Sequence, residues 1–225
     1  MYGLNNDYAV VPLLFPVDNA GVVVSDIISL KNYSRAELYI MTAAAFTKTA
    51  TVTLHQGASV SSCATALAFE KYYQTGCLLK YDGASSGIGA VRGETATGAG
   101  GGVGYVYEDL GGTLVLYDWN STAFIDNEVL TFSGGKTAVV NGVLYNEDIM
   151  VPTELAVAVN TFTITAVTDV NKIYCIPVNS SMLTQGFDCI ELNISDCDSP
   201  SLLAGWAILS GARTMGNPPP TAIYD

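Results

Sequence analysis

The sequence has few basic side chains and a single histidine. It contains nine lysines and arginines against 21 aspartates and glutamates, giving a formal net charge of -12, and His55 is its one histidine. An acidic surface of this kind repels nucleic-acid backbones and anionic membranes. One histidine excludes metal sites with two histidine ligands and leaves a His-based catalytic triad a single candidate base. We therefore expect no direct nucleic-acid partner, no membrane partner and no histidine-based metal centre.

The sequence also lacks a long uninterrupted apolar run. The N-terminal run from Ala9 to Val17 is broken by Pro12 and Pro16, and no basic segment precedes it. A membrane-spanning helix needs about 18 consecutive apolar residues, and a signal peptide begins with a basic region. We therefore expect a protein made and folded in the cytoplasm. Apolar residues make up 49% of the chain and charged residues 13%, a balance that favours a folded chain with a sizeable core.

The five cysteines do not form a metal-binding or disulfide-framework pattern. Their number is odd and none belongs to a CxxC motif; they are Cys63, Cys77, Cys175, Cys189 and Cys197. The pattern favours buried free thiols. A bridge between Cys189 and Cys197 across a hairpin is the alternative.

Strand-like alternation recurs along the chain. In the segment 51–55, Val52 and Leu54 alternate with two threonines and His55, the period-two pattern of a half-buried antiparallel strand. Similar runs cover residues 22–30, 36–41, 67–73, 172–178, 187–194 and 202–209. Only the segment 180–186 resembles a short helical turn. The spacing of the runs predicts an all-β protein built on an antiparallel, jelly-roll-like β-sandwich.

A change of composition indicates a second module inside the chain. Residues 84–142 contain 13 of the 22 glycines and no cysteine, proline or methionine. Short strands are predicted there at 103–109, 112–118, 128–132 and 137–142, separated by glycine pairs suited to tight turns. We predict a small inserted β-barrel or β-sheet subdomain at 84–146, within a sandwich domain formed by 1–83 and 147–225.

The glycine-rich segment TGAGGGVG, residues 97–104, invites comparison with a dinucleotide-binding loop. A GxGxxG fingerprint that starts at Gly98 would need glycine at position 103, which is Val103. The residues that follow alternate like a strand, so no helix N-terminus follows to hold a pyrophosphate. The segment is predicted to be a turn, and no cofactor is expected.

Acidic residues cluster late in the chain, at Asp188, Glu191, Asp196 and Asp198. Oxygen ligands at this spacing suit calcium, but Pro200 and the absence of the loop glycine break the EF-hand pattern. A solvated loop is the favoured interpretation. No second catalytic group is positioned for a hydrolase that would use these carboxylates, so we expect no catalytic residues and no enzyme.

Several segments resemble virion structural proteins of tailed bacteriophages, of the type assigned to head decoration or capsid stabilisation. The resemblance is carried by ATVTLHQG, ALAFEKYY, GFDCIELNIS and the C-terminal AILSGARTMGNPPPTAIYD. It covers about residues 8–83 and 147–225. The segment GGTLVLYDWNSTAFIDNEVLTFSGG also resembles small β modules inserted in phage structural proteins.

The resemblance implies a capsid decoration or cement protein on the phage head. Its partners would be the major capsid protein and further copies of itself, with a trimer as the expected oligomer. The stiff C-terminal tail suggests interface residues, namely Pro218, Pro219, Pro220, Ile223 and Tyr224. The alternative is a receptor- or glycan-binding module of a phage fibre or tail, which would use the tyrosines of the insert and Trp119.

Overall fold

The structure, a computed structural model, describes residues 8–43, 49–82, 87–120, 122–142, 145–165, 172–196, 201–213 and 223–224. The chain divides into two compact units. The first consists of Met1–Tyr72, Thr153–Ala166 and Ile173–Asp225, and the second of Tyr73–Pro152 and Val167–Lys172. In sequence, the second unit therefore lies between segments of the first.

The larger sheet of the first unit is formed by long strands. They are β1 (Tyr8–Asp18), β4 (Tyr33–Thr42), β7 (Phe69–Asp82), β13 (Tyr145–Val159), β15 (Ile173–Asn179) and β17 (Leu202–Ala212). The spatial order is β1, β17, β4, β15 and β7, and β13 also pairs with β7. Both β7 and β13 continue beyond the first unit, into Tyr73–Pro152.

The smaller sheet belongs wholly to the first unit. Its strands are β2 (Val23–Val24), β3 (Ile27–Ser29), β5 (Ala50–Gly57), β6 (Thr65–Ala66), β14 (Thr161–Ile164), β16 (Cys189–Ile194) and β18 (Ile223–Tyr224). The order is β14, β5, β16, β3 and β18, with β2 against β16 and β6 against β5. In β5, Val52 and Leu54 are buried while His55 is half-buried, which is the alternation that the sequence predicts.

Aromatic rings from both sheets form the centre of the sandwich core. Phe162 of the smaller sheet stacks on Tyr72 of the larger sheet, with ring centroids 4.5 Å apart. Phe162 also meets Tyr174 at 5.2 Å and the edge of Phe69 at 6.4 Å. All four rings are buried. The predicted fold class, an all-β antiparallel sandwich, is confirmed.

The second unit contains a closed β-barrel. Its remaining strands are β8 (Thr95–Gly98), β9 (Val103–Asp109), β10 (Thr113–Tyr117), β11 (Val129–Phe132) and β12 (Thr137–Val140). Pairing runs from β7 through β10, β9, β8, β11 and β12, and β12 pairs again with β7 at Tyr81 and Asp82. Closure leaves this ring of six strands without an open edge.

The barrel interior is filled by large apolar side chains. Leu114, Leu116, Leu130 and Val140 are fully buried, and Phe132 is 2% exposed. These side chains belong to a single cluster, against which the half-buried Ile88, Ala90 and Trp119 pack. A domain of this size buries few apolar side chains, so each of them contributes a large share of its stability.

Asp109, at the end of β9, holds the segment that precedes β8 against the barrel. Its carboxylate accepts hydrogen bonds from the Tyr81 hydroxyl at 2.6 Å and from the backbone N–H groups of Ile88 at 3.0 Å and Gly111 at 3.1 Å. Desolvation alone would raise the pKa of Asp109, but the bonds from Tyr81, Gly111, Ile88 and Ala90 outweigh it and lower the pKa. The ionised carboxylate is therefore the form that the fold favours.

We expect Asp109→Asn to destabilise the protein at neutral pH by about 1 kcal/mol, because an amide accepts these bonds less strongly and the site is partly open to solvent. The folded-state pKa lies below the unfolded value of about 3.9, so the contribution is complete above that pH and is lost as the pH falls through the folded pKa. Urea unfolding at pH 7 and at pH 3 measures this. If the free energies of unfolding of wild type and Asp109→Asn differ by the same amount at both pH values, this prediction is wrong.

The glycine-rich segment is the turn between β8 and β9, as predicted. Gly101 has φ of 94°, a conformation that glycine adopts without strain. The backbone N–H of Gly100 donates to Glu128 Oε2 at 2.6 Å. A Cβ at Gly98 would lie 2.5 Å from Glu128 Oε1. The anion that this turn binds is therefore a carboxylate of the chain itself.

Helical structure is confined to a short turn in the part of the chain that the structure describes. A 3-10 helix covers Ser180–Met182, within the predicted helical turn. None of the helices among the described residues is long and apolar enough to cross a membrane.

Candidate protein-interaction surface

The outward face of the larger sheet in the first unit is apolar over most of its width. Cross-strand registers place its side chains in three neighbouring rows. The central row is formed by Pro12, Trp206, Tyr39 and Cys175. The row on one side of it contains Ala204, Met41 and Ile173, and the row on the other side contains Val10, Ile208, Glu37 and Pro177. We call these eleven residues the apolar sheet face. The alternate residues of the same strands, such as Leu38 and Ala207, are buried in the sandwich.

Two stacked aromatic rings occupy the centre of the apolar sheet face. Tyr39 and Trp206 are direct cross-strand partners, and their rings are parallel within 5° with centroids 5.2 Å apart. Both side chains are half-buried, while Val10 is 57% and Met41 42% exposed. Aromatic residues and methionine are enriched at protein interfaces, because they supply a large contact area.

Among the eleven residues of the apolar sheet face, Glu37 is the charged one. Glu37 belongs to the face and accepts a hydrogen bond from the Tyr39 hydroxyl at 3.0 Å. The next row outward contains Arg35, Ser210 and Asn179. The arrangement is an apolar centre with a polar border, as in protein–protein interfaces.

The environment of Tyr39 keeps its hydroxyl protonated. Burial, the neighbouring Cys175 thiol and the hydrogen bond to Glu37 all raise the pKa of Tyr39. Burial also raises the pKa of Cys175 to about 12. Both groups are therefore neutral at physiological pH, and Tyr39 remains a hydrogen-bond donor to Glu37.

Burial also keeps the thiols of the other described cysteines protonated. Cys63, Cys77 and Cys189 are buried free thiols, and burial raises the pKa of each to about 12. The prediction of buried free thiols is thus confirmed for four of the five cysteines. The alternative, a disulfide between Cys189 and Cys197, is not formed. Cys189 is a free thiol, and its Sγ donates a hydrogen bond to Asp188 Oδ1 at 3.1 Å. Cys197 lies outside the described residues.

A second candidate surface lies on the outside of the barrel. Tyr105 and Tyr117 are cross-strand partners with ring centroids 5.7 Å apart, and the Arg92 guanidinium lies 4.4 Å from the ring centroid of Tyr107. We call these four residues the tyrosine cluster. Trp119 is half-buried: its indole packs on the barrel core, and its Nε1 donates to the Thr122 carbonyl at 2.9 Å.

Two of the five predicted interface residues can be placed. Pro218, Pro219 and Pro220 lie outside the described residues. Ile223 and Tyr224 form β18, whose backbone pairs with Ile28 and Ile27 of β3 at the edge of the smaller sheet.

The predicted polar candidates do not gather into a site in the part of the chain that the structure describes. His55 lies in β5 opposite Glu191 of β16. Burial raises the pKa of Glu191. Among the described residues, no group of three histidine, cysteine or acidic side chains is arranged to hold a metal ion. Asp198 lies outside the described residues.

Sequence reasoning missed the apolar sheet face, although a signal was present. The runs LYIM at 38–41 and GWAIL at 205–209 place apolar residues on both faces of their strands. A strand with one face in water would alternate with polar residues instead. Such an uninterrupted run in an antiparallel strand indicates that both faces become covered.

Comparison with known proteins yields no relative. No protein-family model, curated protein or solved structure matches this chain.

Proposed function

We propose that this protein is a non-enzymatic structural component of a tailed-phage virion. Its role would be head decoration: it docks as a homo-oligomer on the lattice of the major capsid protein and stabilises the head. The proposal rests on the resemblance described above and on one observation, the apolar sheet face with the Tyr39–Trp206 stack at its centre.

The apolar sheet face suits docking better than catalysis. Its centre is neutral and carries the stacked rings of Tyr39 and Trp206. Covering such a surface removes apolar area from water, which is the main driving force of protein association. A decoration protein works by adding interface area to the capsid, and this surface would supply it.

Copy number in the virion tests the proposal. Quantitative mass spectrometry of purified particles should find the protein in fixed proportion to the major capsid protein. Particles assembled without it should open at a lower temperature than complete particles. A dozen or fewer copies per virion, or unchanged particle stability, would contradict head decoration.

The tyrosine cluster favours a second candidate function, glycan or receptor binding by the second unit. Tyr105 is 39% exposed, and its ring forms a continuous aromatic surface with Tyr117. One exposed and two half-buried aromatic rings beside an arginine suit the apolar faces and hydroxyl groups of sugars. This function is compatible with a virion protein whose second unit contacts the host surface.

We expect Tyr105→Ala to reduce binding of the full chain to host-surface polysaccharide about 10-fold or more, because the variant removes the most exposed ring of the cluster. Titration calorimetry with purified polysaccharide measures the affinity. Val129→Ala is the matched control, since Val129 is an exposed apolar residue of the barrel outside the cluster. Equal affinity of wild type and Tyr105→Ala would rule out the tyrosine cluster as the binding site.

A further inference from the structure

The last part of β13 exposes an apolar strand at an edge. In the first unit, Leu155 and Val159 are half-buried, Ala156 and Ala158 are exposed, and Val157 is 71% exposed. We call residues Glu154–Val159 the open edge. Among the described residues, β13 pairs with β7 alone, so the other side of the open edge presents unpaired backbone groups.

The other edges of the first unit are protected, and this one is not. The outer strand β1 carries Pro12 and Pro16, which cannot donate hydrogen bonds to an incoming strand. The edge strands of the smaller sheet are short, four residues in β14 and two in β18. Natural proteins protect edges with proline, charge or short strands. The open edge has one charged residue, Glu154, at its beginning, followed by five apolar residues.

We propose that the open edge pairs antiparallel with the open edge of a second copy of this chain, about a two-fold axis at Val157. An antiparallel pair of identical strands closes on itself as a dimer, whereas a head-to-tail arrangement must close as a ring or continue as a filament. Backbone hydrogen bonds would then join the larger sheets of two copies into one continuous sheet.

The sequence of the open edge is complementary to itself in this register. Val157 lies opposite its own copy, and Leu155 lies opposite Val159 of the other copy. Glu154 lies opposite the bend at Asn160, just past the end of β13, so the two Glu154 carboxylates are kept apart.

This pairing adds an oligomeric state to the proposed function. It rests on the proposed function in one respect: both require a homo-oligomer. It replaces the trimer that the resemblance implies by a two-fold dimer. The apolar sheet face remains available for the capsid, because it lies on the face of the sheet and the pairing uses the edge.

Light scattering and cysteine cross-linking of the full chain test the proposal. We expect wild type to have twice the mass of a single chain and Val157→Lys to have the mass of one chain, because two lysines would lie directly opposite each other. Val157→Cys should form a disulfide-linked dimer under mild oxidation, since opposite residues of antiparallel strands have Cα atoms about 4.5–5.5 Å apart. Ala158→Cys is the matched control, because position 158 lies opposite Ala156.

The outcomes separate this proposal from the virion role. Wild-type protein that has the mass of one chain, or that forms a trimer, would overturn the two-fold pairing while capsid-level copy numbers still supported decoration. Equal cross-linking by Val157→Cys and Ala158→Cys would overturn the register and with it the proposal. An unchanged circular dichroism spectrum of each variant shows that Val157→Lys acts on assembly and not on folding.

Discussion

Trp206→Ala is expected to weaken binding of the protein to phage heads that lack it by about 30-fold or more. The indole lies at the centre of the apolar sheet face and stacks on Tyr39. Aromatic residues at the centre of an interface typically contribute 2 kcal/mol or more when truncated, which corresponds to this loss of affinity. Sedimentation of purified protein with such heads, over a range of protein concentrations, measures the affinity.

Two control variants make the result on Trp206 specific. Trp206→Phe keeps an aromatic ring on Tyr39 and should retain most of the affinity. Thr163→Ala changes an exposed side chain of β14 in the smaller sheet and should leave binding unchanged. Full binding by folded Trp206→Ala protein would show that the apolar sheet face does not contact the capsid.

Phe132→Ala is expected to destabilise the second unit by about 3–5 kcal/mol. The ring is 2% exposed and belongs to the single apolar cluster of the barrel, so truncation loses its burial and leaves a cavity. A loss of this size approaches the whole stability of a small domain. Urea unfolding, combined with hydrogen exchange of the β11 and β12 amides, measures the effect.

The neighbouring residue provides the control for Phe132. Thr131 is exposed on the same strand, and Thr131→Ala should change stability by no more than about 0.5 kcal/mol. Phe132→Leu should fall between the two variants, because it fills part of the cavity. A loss below about 1 kcal/mol for Phe132→Ala would mean that the barrel core rearranges to fill the space.

Local alternation made most strands predictable. The predicted strand at 103–109 is β9, and the predictions at 128–132 and 137–142 match β11 and β12 to within two residues. These segments alternate because one face packs on a core and the other meets water. The turn at Gly101 was predictable for a similar reason, since positive φ favours glycine.

Pairing between distant segments could not be predicted in the same way. The sequence does not show that β12 returns to pair with β7 and closes the barrel, because that contact joins residues far apart in the chain. The same holds for the apolar sheet face, which requires β1, β4, β15 and β17 to lie side by side. The sequence of each strand shows only an apolar run. The surface forms because the cross-strand register places the apolar residues of neighbouring strands side by side.

The pairing of β7 with β13 has a consequence for how this protein can be altered. The chain leaves the first unit after Tyr72 and returns to it at Thr153, on two strands that are hydrogen-bonded neighbours. A tight turn could therefore join these strands in place of the intervening residues, since hairpin loops need only two to five residues. The position is a natural exchange point, at which evolution or a protein engineer could replace one module by another.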